Sequence, residues 1–319
     1  MRWDLLSIGI TKTGNARNLT LPWTVLSKAI ACICVLALSG CTSLSTLFFY
    51  PQKTLISTPA DAGLDYQDVW LTAADGTQLH AWWIPAQGST PDSNNMVLYL
   101  HGNAENISSH SHSIYWLAKS GVSVLSLDYR GFGASQGRAL LPDMLEDLTA
   151  AAAWMKNEYP DKDLIVLGQS IGTVLAINFA AQAPAQQHIK ALILDAPLTA
   201  IGSAARSSLS GNLLGWLVWP FTVFIPNQWD SSKHIDKIDL PVLIMHSPTD
   251  SIIPYAHGKK LHSAWQQAYP AQQLCWLDSQ GPHIMSFAFP ELRKATLQFI
   301  EQPKCQPQTA TQNSTSLKR

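Results

Sequence analysis

The pentapeptide Gly168-Gln169-Ser170-Ile171-Gly172 places one hydroxyl between two glycines, each two residues away. It follows the β-rich run Leu164–Leu167 and opens a helical stretch over 171–183. A serine at such a junction sits on a sharp, strained turn with its Oγ raised above the strand end, and the glycines remove side chains that would clash where strand and helix nearly touch. The helix that follows aims its first N–H groups and its dipole at the same point, which favours developing negative charge. The chemistry this prepares is nucleophilic attack on an acyl carbonyl. A serine hydroxyl is a weak nucleophile, so that chemistry requires a histidine within hydrogen-bond reach and a carboxylate to orient it.

Three histidines, His101, His246 and His283, lie at the ends of apolar runs or in the loops after them, and three carboxylates, Asp195, Asp250 and Asp278, do the same. Asp250 follows Val242–Met245 through His-Ser-Pro-Thr, on a loop beyond the strand end. Asp195 ends the run Ala191–Leu194, and Asp278 is expected still within its strand. Gly281-Pro282 breaks the chain just before His283, which lets the ring turn back over the strand ends. The residues favour Ser170, His283 and Asp250 as nucleophile, base and acid, with Asp195 as the rival acid and His101 and His246 as rival bases. A tetrahedral oxyanion also needs N–H donors. Ile171, directly after the serine, is expected to supply one and Asn103, in Tyr99-Leu100-His101-Gly102-Asn103, the other. His110 and His112 have no cysteine or carboxylate cluster beside them, so they are read as surface residues; no metal and no organic cofactor is expected.

The elements that must hold these residues can be read from periodicity. Two candidate strands, Asp68–Thr72 and Gln78–Ile84, flank the hairpin signal Asp75-Gly76. Continuous apolar runs follow at Val97–Leu100, Val122–Leu127, Leu164–Leu167, Ala191–Leu194, Val242–Met245 and Leu274–Leu277. They alternate with helical candidates over 143–159, 171–183, 255–269 and 286–300. Continuous apolar runs imply strands buried on both faces, and the alternation implies parallel crossovers. The expected fold is α/β: an open, mostly parallel sheet flanked by helices, with an antiparallel hairpin at its start and its reactive groups on loops after the carboxyl ends of strands. With 46% hydrophobic and 13% charged residues, the 319-residue chain can bury a large core. A net charge of −1 with no basic patch gives no sign of a nucleic-acid partner.

Several of these segments resemble the bacterial serine-aminopeptidase-like α/β-hydrolases. The resemblance rests on Tyr99–Asn106 (Tyr-Leu-His-Gly-Asn-Ala-Glu-Asn), Asp128–Ser135 (Asp-Tyr-Arg-Gly-Phe-Gly-Ala-Ser), Gly168–Gly172, Asp250 and His283, in that order over residues 61–300. Phe49-Tyr50-Pro51-Gln52 and Ala74-Asp75-Gly76-Thr77 resemble one branch of the same family. The resemblance implies the α/β-hydrolase fold, the chain order Ser, Asp, His for the triad, and a turn at 128–135 that shapes the site floor. This chain departs from the family at His246-Ser247-Pro248, where His-Gly is commoner.

Outside that body, Lys28 precedes the apolar run Ala29–Leu38, which is too short to span a bilayer. Leu38-Ser39-Gly40-Cys41 resembles the bacterial lipobox. Residues 1–40 are therefore expected to be a lipoprotein signal peptide, Cys41 the lipidation site, and 41–60 a tether. Thr42 rather than Asp follows the cysteine, and by resemblance this implies the outer membrane, facing the periplasm. In an oxidising compartment Cys275 and Cys305 could pair; the other reading is a buried thiol at 275 and a free one at 305. The interval 198–240 interrupts the strand–helix rhythm and is expected to form a small cap, with Trp216, Trp219 and Phe221 facing substrate. The hydrolase domain is expected over 61–303 and a disordered tail over 304–319. An aromatic cap favours a small-molecule or lipid carboxylic ester as substrate. A peptidase or amidase, a lipase at the membrane interface and a non-catalytic envelope protein remain as alternatives.

Overall fold

The computed structural model describes residues 49–88, 92–182, 188–200, 202, 229–270 and 274–305. Ten strands form: β1 (Tyr50–Pro51), β2 (Gln67–Thr72), β3 (Gln78–Ile84), β4 (Asn95–Leu100), β5 (Ala104–Glu105), β6 (Ser123–Leu127), β7 (Asp163–Gln169), β8 (Ile189–Asp195), β9 (Val242–His246) and β10 (Leu274–Asp278). The helices are α1 (Ile107–His110), α2 (Tyr115–Lys119), α3 (Met144–Glu158), α4 (Ile171–Ala180), α5 (Ala256–Ala268) and α6 (Pro290–Glu301). Each expected strand is present, most of them extended by a residue or two. The helix expected over 286–300 divides into a 3₁₀ turn, Ser286–Ala288, and α6. Pro290 is the reason: the residue before a proline is pushed out of the helical region, and Phe289 is extended at φ −97°, ψ 120°.

Eight strands make one sheet in the order β10-β9-β8-β7-β4-β6-β3-β2. β2 and β3 are antiparallel, and β3 meets β6 antiparallel; every other neighbouring pair is parallel. Alternation along each strand sends residues to two cores. Leu98, Leu100, Val166, Leu192 and Ile244 face the layer containing α3, α4 and α5, while Val97, Tyr99, Leu167, Ile193 and Met245 face the layer containing α2 and α6. Both faces are thus covered, which is why the strand sequences read as unbroken apolar runs.

The chain order reverses beside β4: β6 lies on one side of it and β7 on the other. Ligand sites in open α/β sheets form in the crevice at such a point, beyond the carboxyl ends of the strands. Register levels those ends. Leu100 pairs with Gly168, Gln169 with Asp195, Asp195 with Met245 and His246 with Asp278. The loops after β4, β7, β8, β9 and β10 therefore leave the sheet side by side.

Two expectations are corrected. Residues 49–60, read as part of a tether, are docked on the domain. Phe49 is buried, β1 pairs in parallel with β5, and Asn106 Nδ2 donates to the carbonyls of Gln52 and Thr54 at 3.0 and 2.8 Å. Residue 305, expected in the tail, is tied to the domain: Cys305 is joined to Cys275 by a disulfide with a Cα–Cα distance of 5.1 Å, and residues 306–319 lie outside the described residues. The signal segment, Cys41 and most of the expected cap lie outside the described residues. Among the described residues no helix is long and apolar enough to cross a membrane.

One buried ion pair ties the loop after β6 to α3 and to the β2–β3 turn. Arg130 donates from its backbone N–H and from Nε to the two oxygens of Asp147, each at 2.8 Å, and from Nη1 to Asp75 at 2.8 Å. Asp147 is fully buried. Breaking a buried pair costs about 3–5 kcal/mol, and because Asp75 still faces Arg130 the loss of Asp147 is expected toward the lower end of that range. Asp147→Ala is expected to lose stability of that order in urea unfolding; a change under about 1 kcal/mol would mean that water solvates Arg130 freely.

Candidate active site

Ser170 stands between β7 and α4 with φ 54° and ψ −121°, a conformation costly for any residue with a side chain. The flanking glycines explain how the turn closes. A Cβ on Gly168 would lie 2.5 Å from the Gly172 carbonyl oxygen, and one on Gly172 would lie 2.2 Å from that of Leu100. Strand and helix thus approach closer than side chains allow. The strained turn is clamped by three hydrogen bonds to two residues. Ser170 N–H donates to the Asp195 carbonyl at 3.0 Å, and the Thr173 N–H and hydroxyl both donate to the Ser170 carbonyl, at 3.0 and 2.6 Å.

The structure brings Ser170, His283 and Asp250 together. His283 Nε2 lies 2.9 Å from Ser170 Oγ, and His283 Nδ1 lies 2.7 Å from Asp250 Oδ2. The sequence separations are 113 and 33 residues. Asp250 Oδ1 accepts from the N–H groups of Ile252 and Ile253, each at 2.9 Å. Burial opposes its charge, but the contacts with His246 and His283 and the Ile253 N–H outweigh burial and hold the carboxyl well below the usual carboxylate range. An ionised carboxylate only accepts, so Nδ1 carries the proton toward Asp250 and Nε2 is left to accept from the Ser170 hydroxyl.

The rival bases have other work. His246, at the end of β9, lies with Nε2 3.0 Å from the Ile253 carbonyl and 3.5 Å from Asp250, beneath the acid's loop. His101 is fully buried, stacks on Tyr129 with ring centroids 4.4 Å apart, and has its Nδ1 2.8 Å from the Gly102 carbonyl. Burial drives its pKa well below the ordinary histidine value, so it stays neutral. The turn at 128–135 braces this region from below: Asp128 accepts from the Ile107 N–H at 2.9 Å, and the Ser135 hydroxyl donates to the Asp128 carbonyl at 2.7 Å.

Asn103 and Ile171, the expected oxyanion donors, come from adjacent strand ends. Ile171 opens α4, where the first N–H groups have no partner within the helix. Asn103 is half-buried after β4, and its own carbonyl accepts from Tyr50 N–H at 3.1 Å, which fixes the loop. Trp216, Trp219 and Phe221, expected to face substrate, lie outside the described residues. His112 is exposed as expected, but His110 is half-buried; its ring stacks 5.4 Å from that of His101 and its Nε2 sits 3.0 Å from the Ala104 carbonyl.

Two features escaped the sequence reading. Asp195, weighed as a rival acid, instead joins β7 to the segment after His283. Its carboxylate accepts from Gln169 Nε2 at 2.8 Å and from Ser286 Oγ at 2.5 Å, and Gln169 Oε1 accepts from Tyr99 OH at 2.5 Å and from Ser113 Oγ at 2.9 Å. Ser247, where the family more often has glycine, donates to the Gly281 carbonyl at 2.6 Å, and the Thr249 hydroxyl donates to the same oxygen at 2.9 Å. The acid's loop and the base's loop are therefore stitched together. The one signal for the second feature was the departure itself, and for the first a buried carboxylate opposite the glutamine of the Gly-Gln-Ser motif.

The chain is similar in sequence and fold to known hydrolases. The family model described as Serine aminopeptidase, S33 matches residues 91–232. Uncharacterized protein YfhR of Salmonella typhimurium strain LT2 is 32% identical over 270 residues, covering 80% of this chain and 87% of that protein. Lysophosphatidylserine lipase ABHD12 of Danio rerio is 28% identical over 279 residues, covering 78% of this chain and 73% of its own. Among solved structures, esterase Pf2001 of Pyrococcus furiosus superposes with a TM-score of 0.65 at 23% identity, covering 79% of this chain and 97% of that one, a likeness of fold.

The depressed carboxyl of Asp250 makes a stability prediction whose sign is fixed. An aspartate titrates near 3.9 in an unfolded chain, and lower than that here. Its contribution is therefore complete above about pH 4 and is lost as pH falls toward its folded pKa. In urea unfolding, the advantage of the native chain over Asp250→Asn is expected to be largest above about pH 4 and to shrink on further acidification. A gap that widens on acidification would show that the carboxyl is not held ionised.

Proposed function

Because the chain belongs to the α/β-hydrolase family of the serine aminopeptidase S33 type, we propose that it is a serine hydrolase that cleaves carboxylic esters through an acyl-serine intermediate. The observation that carries this reading is the continuous relay from Ser170 Oγ through the His283 ring to Asp250, at 2.9 and 2.7 Å.

In the proposed cycle Ser170 Oγ attacks the ester carbonyl carbon while its proton passes to His283 Nε2. The new C–O bond converts the carbonyl oxygen to an oxyanion, held by the N–H groups of Asn103 and Ile171. Asp250 stabilises the imidazolium that forms and keeps the ring in its productive tautomer. The tetrahedral adduct then expels the alcohol, which takes the proton from His283 as the C–O bond to it breaks. Water enters, gives a proton to His283 and attacks the acyl carbon; Ser170 leaves with that proton, and the carboxylic acid departs. Every step uses side chains and backbone of this chain, so the mechanism draws on no cofactor.

Support for esters comes from kinship as well as chemistry. One relative is named a lysophosphatidylserine lipase and one structural neighbour an esterase. Peptide or amide cleavage on the same triad is the second reading, favoured by the matching family description. We also propose that Trp216, Trp219 and Phe221 cap the substrate, and that Cys41 is acylated and anchors the chain in a bacterial envelope, facing the periplasm. The pairing of Cys275 with Cys305 is consistent with an oxidising compartment.

A fluorophosphonate probe is expected to label the native chain and not Ser170→Ala, and that variant is expected to lose about 10³-fold or more in ester turnover. Short-chain p-nitrophenyl esters should be turned over faster than aminoacyl amides. Full turnover by Ser170→Ala would end the serine mechanism, and faster amide cleavage would favour the peptidase reading.

A further inference from the structure

Beside the residues that follow His283, the surface opens into a groove of about 380 Å³. Ile284, Met285 and Phe287 form its apolar wall, His110 lines it from the end of α1 and His112 from the turn that follows, and Arg293 lines it from the first turn of α6. The volume is of the size that holds small organic ligands. Its place relative to the reacting atoms follows from two observations. Ile284 continues the chain directly from His283, with a left-handed φ of 53°. The His110 ring packs so closely on Gly102 that a Cβ there would meet its Cε1 at 3.0 Å. One wall of the groove therefore starts at the residue after His283, and His110 on the other wall packs on the loop that carries Asn103.

The charge in this groove has one sign. No Asp or Glu lines it. Arg293 also lines an adjoining groove of about 560 Å³ with Lys119 and Lys294, and no Asp or Glu lines that one either. Arg293 is oriented from two sides, since its Nε donates to the Phe287 carbonyl and its guanidinium carbon lies 5.8 Å from the Trp116 ring centroid. Among the described residues no carboxylate pairs with it. A held guanidinium with no carboxylate on it among the described residues is suited to binding the oxygens of a phosphate or carboxylate.

The mechanism says which half of a substrate this groove meets. The imidazole that takes the serine proton must hand it to the leaving group, so the leaving atom lies at His283 Nε2. Its substituent then departs past the residues that flank His283. We propose that the groove is the leaving-group subsite and that Arg293 is a specificity-determining residue, selecting esters whose alcohol portion carries a phosphate or a carboxylate. This rests on the serine-hydrolase reading of Ser170.

The test uses butyryl esters of glycerol, of glycerol 3-phosphate and of glycolate, with the native chain, Arg293→Gln and Arg293→Lys. The native chain is expected to favour at least one anionic ester over the glycerol ester by about tenfold in kcat/KM. Arg293→Gln should collapse that ratio toward unity, chiefly through KM, and Arg293→Lys should retain part of it. The two anionic arms tell phosphate from carboxylate. A calorimetric titration of glycerol 3-phosphate and glycolate into Ser170→Ala, with and without Arg293→Gln, reads the subsite without catalysis. Anion binding lost with Arg293 supports the subsite even if no ester is cleaved. Esters cleaved with no preference for the anion, or a ratio that Arg293→Gln leaves unchanged, overturn the subsite while leaving the role of Ser170 standing. A preference for a charge on the acyl side, tested with a hemisuccinate ester, would overturn it as well.

Discussion

The site depends on parallel backbone register. Hydrogen bonds between neighbouring strands fix Leu100 beside Gly168, Gln169 beside Asp195, Asp195 beside Met245 and His246 beside Asp278. Five strands therefore end level, and the loops beyond them start from fixed, adjacent points. Without that register the elbow serine, the acid and the imidazole would have no common origin. The price of this arrangement falls at the elbow, where Ser170 is held at positive φ and two glycines are needed because strand, helix and neighbouring loop crowd within van der Waals range.

A strained residue stays in place only when its surroundings over-determine it. Here the surroundings are polar and buried. Asp195 offers its carbonyl to the nucleophile's N–H and its carboxylate to Gln169 and Ser286. Gln169 is engaged in turn by Tyr99 and Ser113. Burial raises the pKa of the Asp195 carboxyl, with the contacts to Ser286 and Gln169 acting against it. The contrast with Asp250 is physical: Asp250 is opposed by burial too, but histidines and backbone N–H groups win there. Two aspartates at the ends of adjacent strands thus serve different ends. Asp250 is held ionised against the His283 ring, and Asp195 braces the framework.

The loops that carry base and acid are linked directly as well as through the sheet. Ser247 and Thr249 both donate to the Gly281 carbonyl, so the His283 loop cannot drift from the Asp250 loop without breaking two hydrogen bonds. The disulfide between Cys275 and Cys305 fastens β10, the strand that leads into that loop, to the segment that follows α6. Edge strands are the least restrained part of an open sheet, so a covalent tie at β10 restrains the element that delivers the imidazole.

The amino-acid sequence by itself determined the sheet, the crossovers, the elbow and the identity of the three residues that meet. Each of these is written in local pattern: unbroken apolar runs for doubly buried strands, glycines spaced around one serine, and a Gly-Pro break before one histidine. Only the tertiary structure decided what Asp195 does, why serine at 247 is useful, and that His110 and Arg293 share a groove beside His283. It also decided that residues 49–60 pack on the domain and that Cys275 meets Cys305. These are contacts between residues 26 or more positions apart, between side chains with no periodic signature. A hydrogen bond across that distance depends on where two backbones end up, and no local pattern of residue types encodes it.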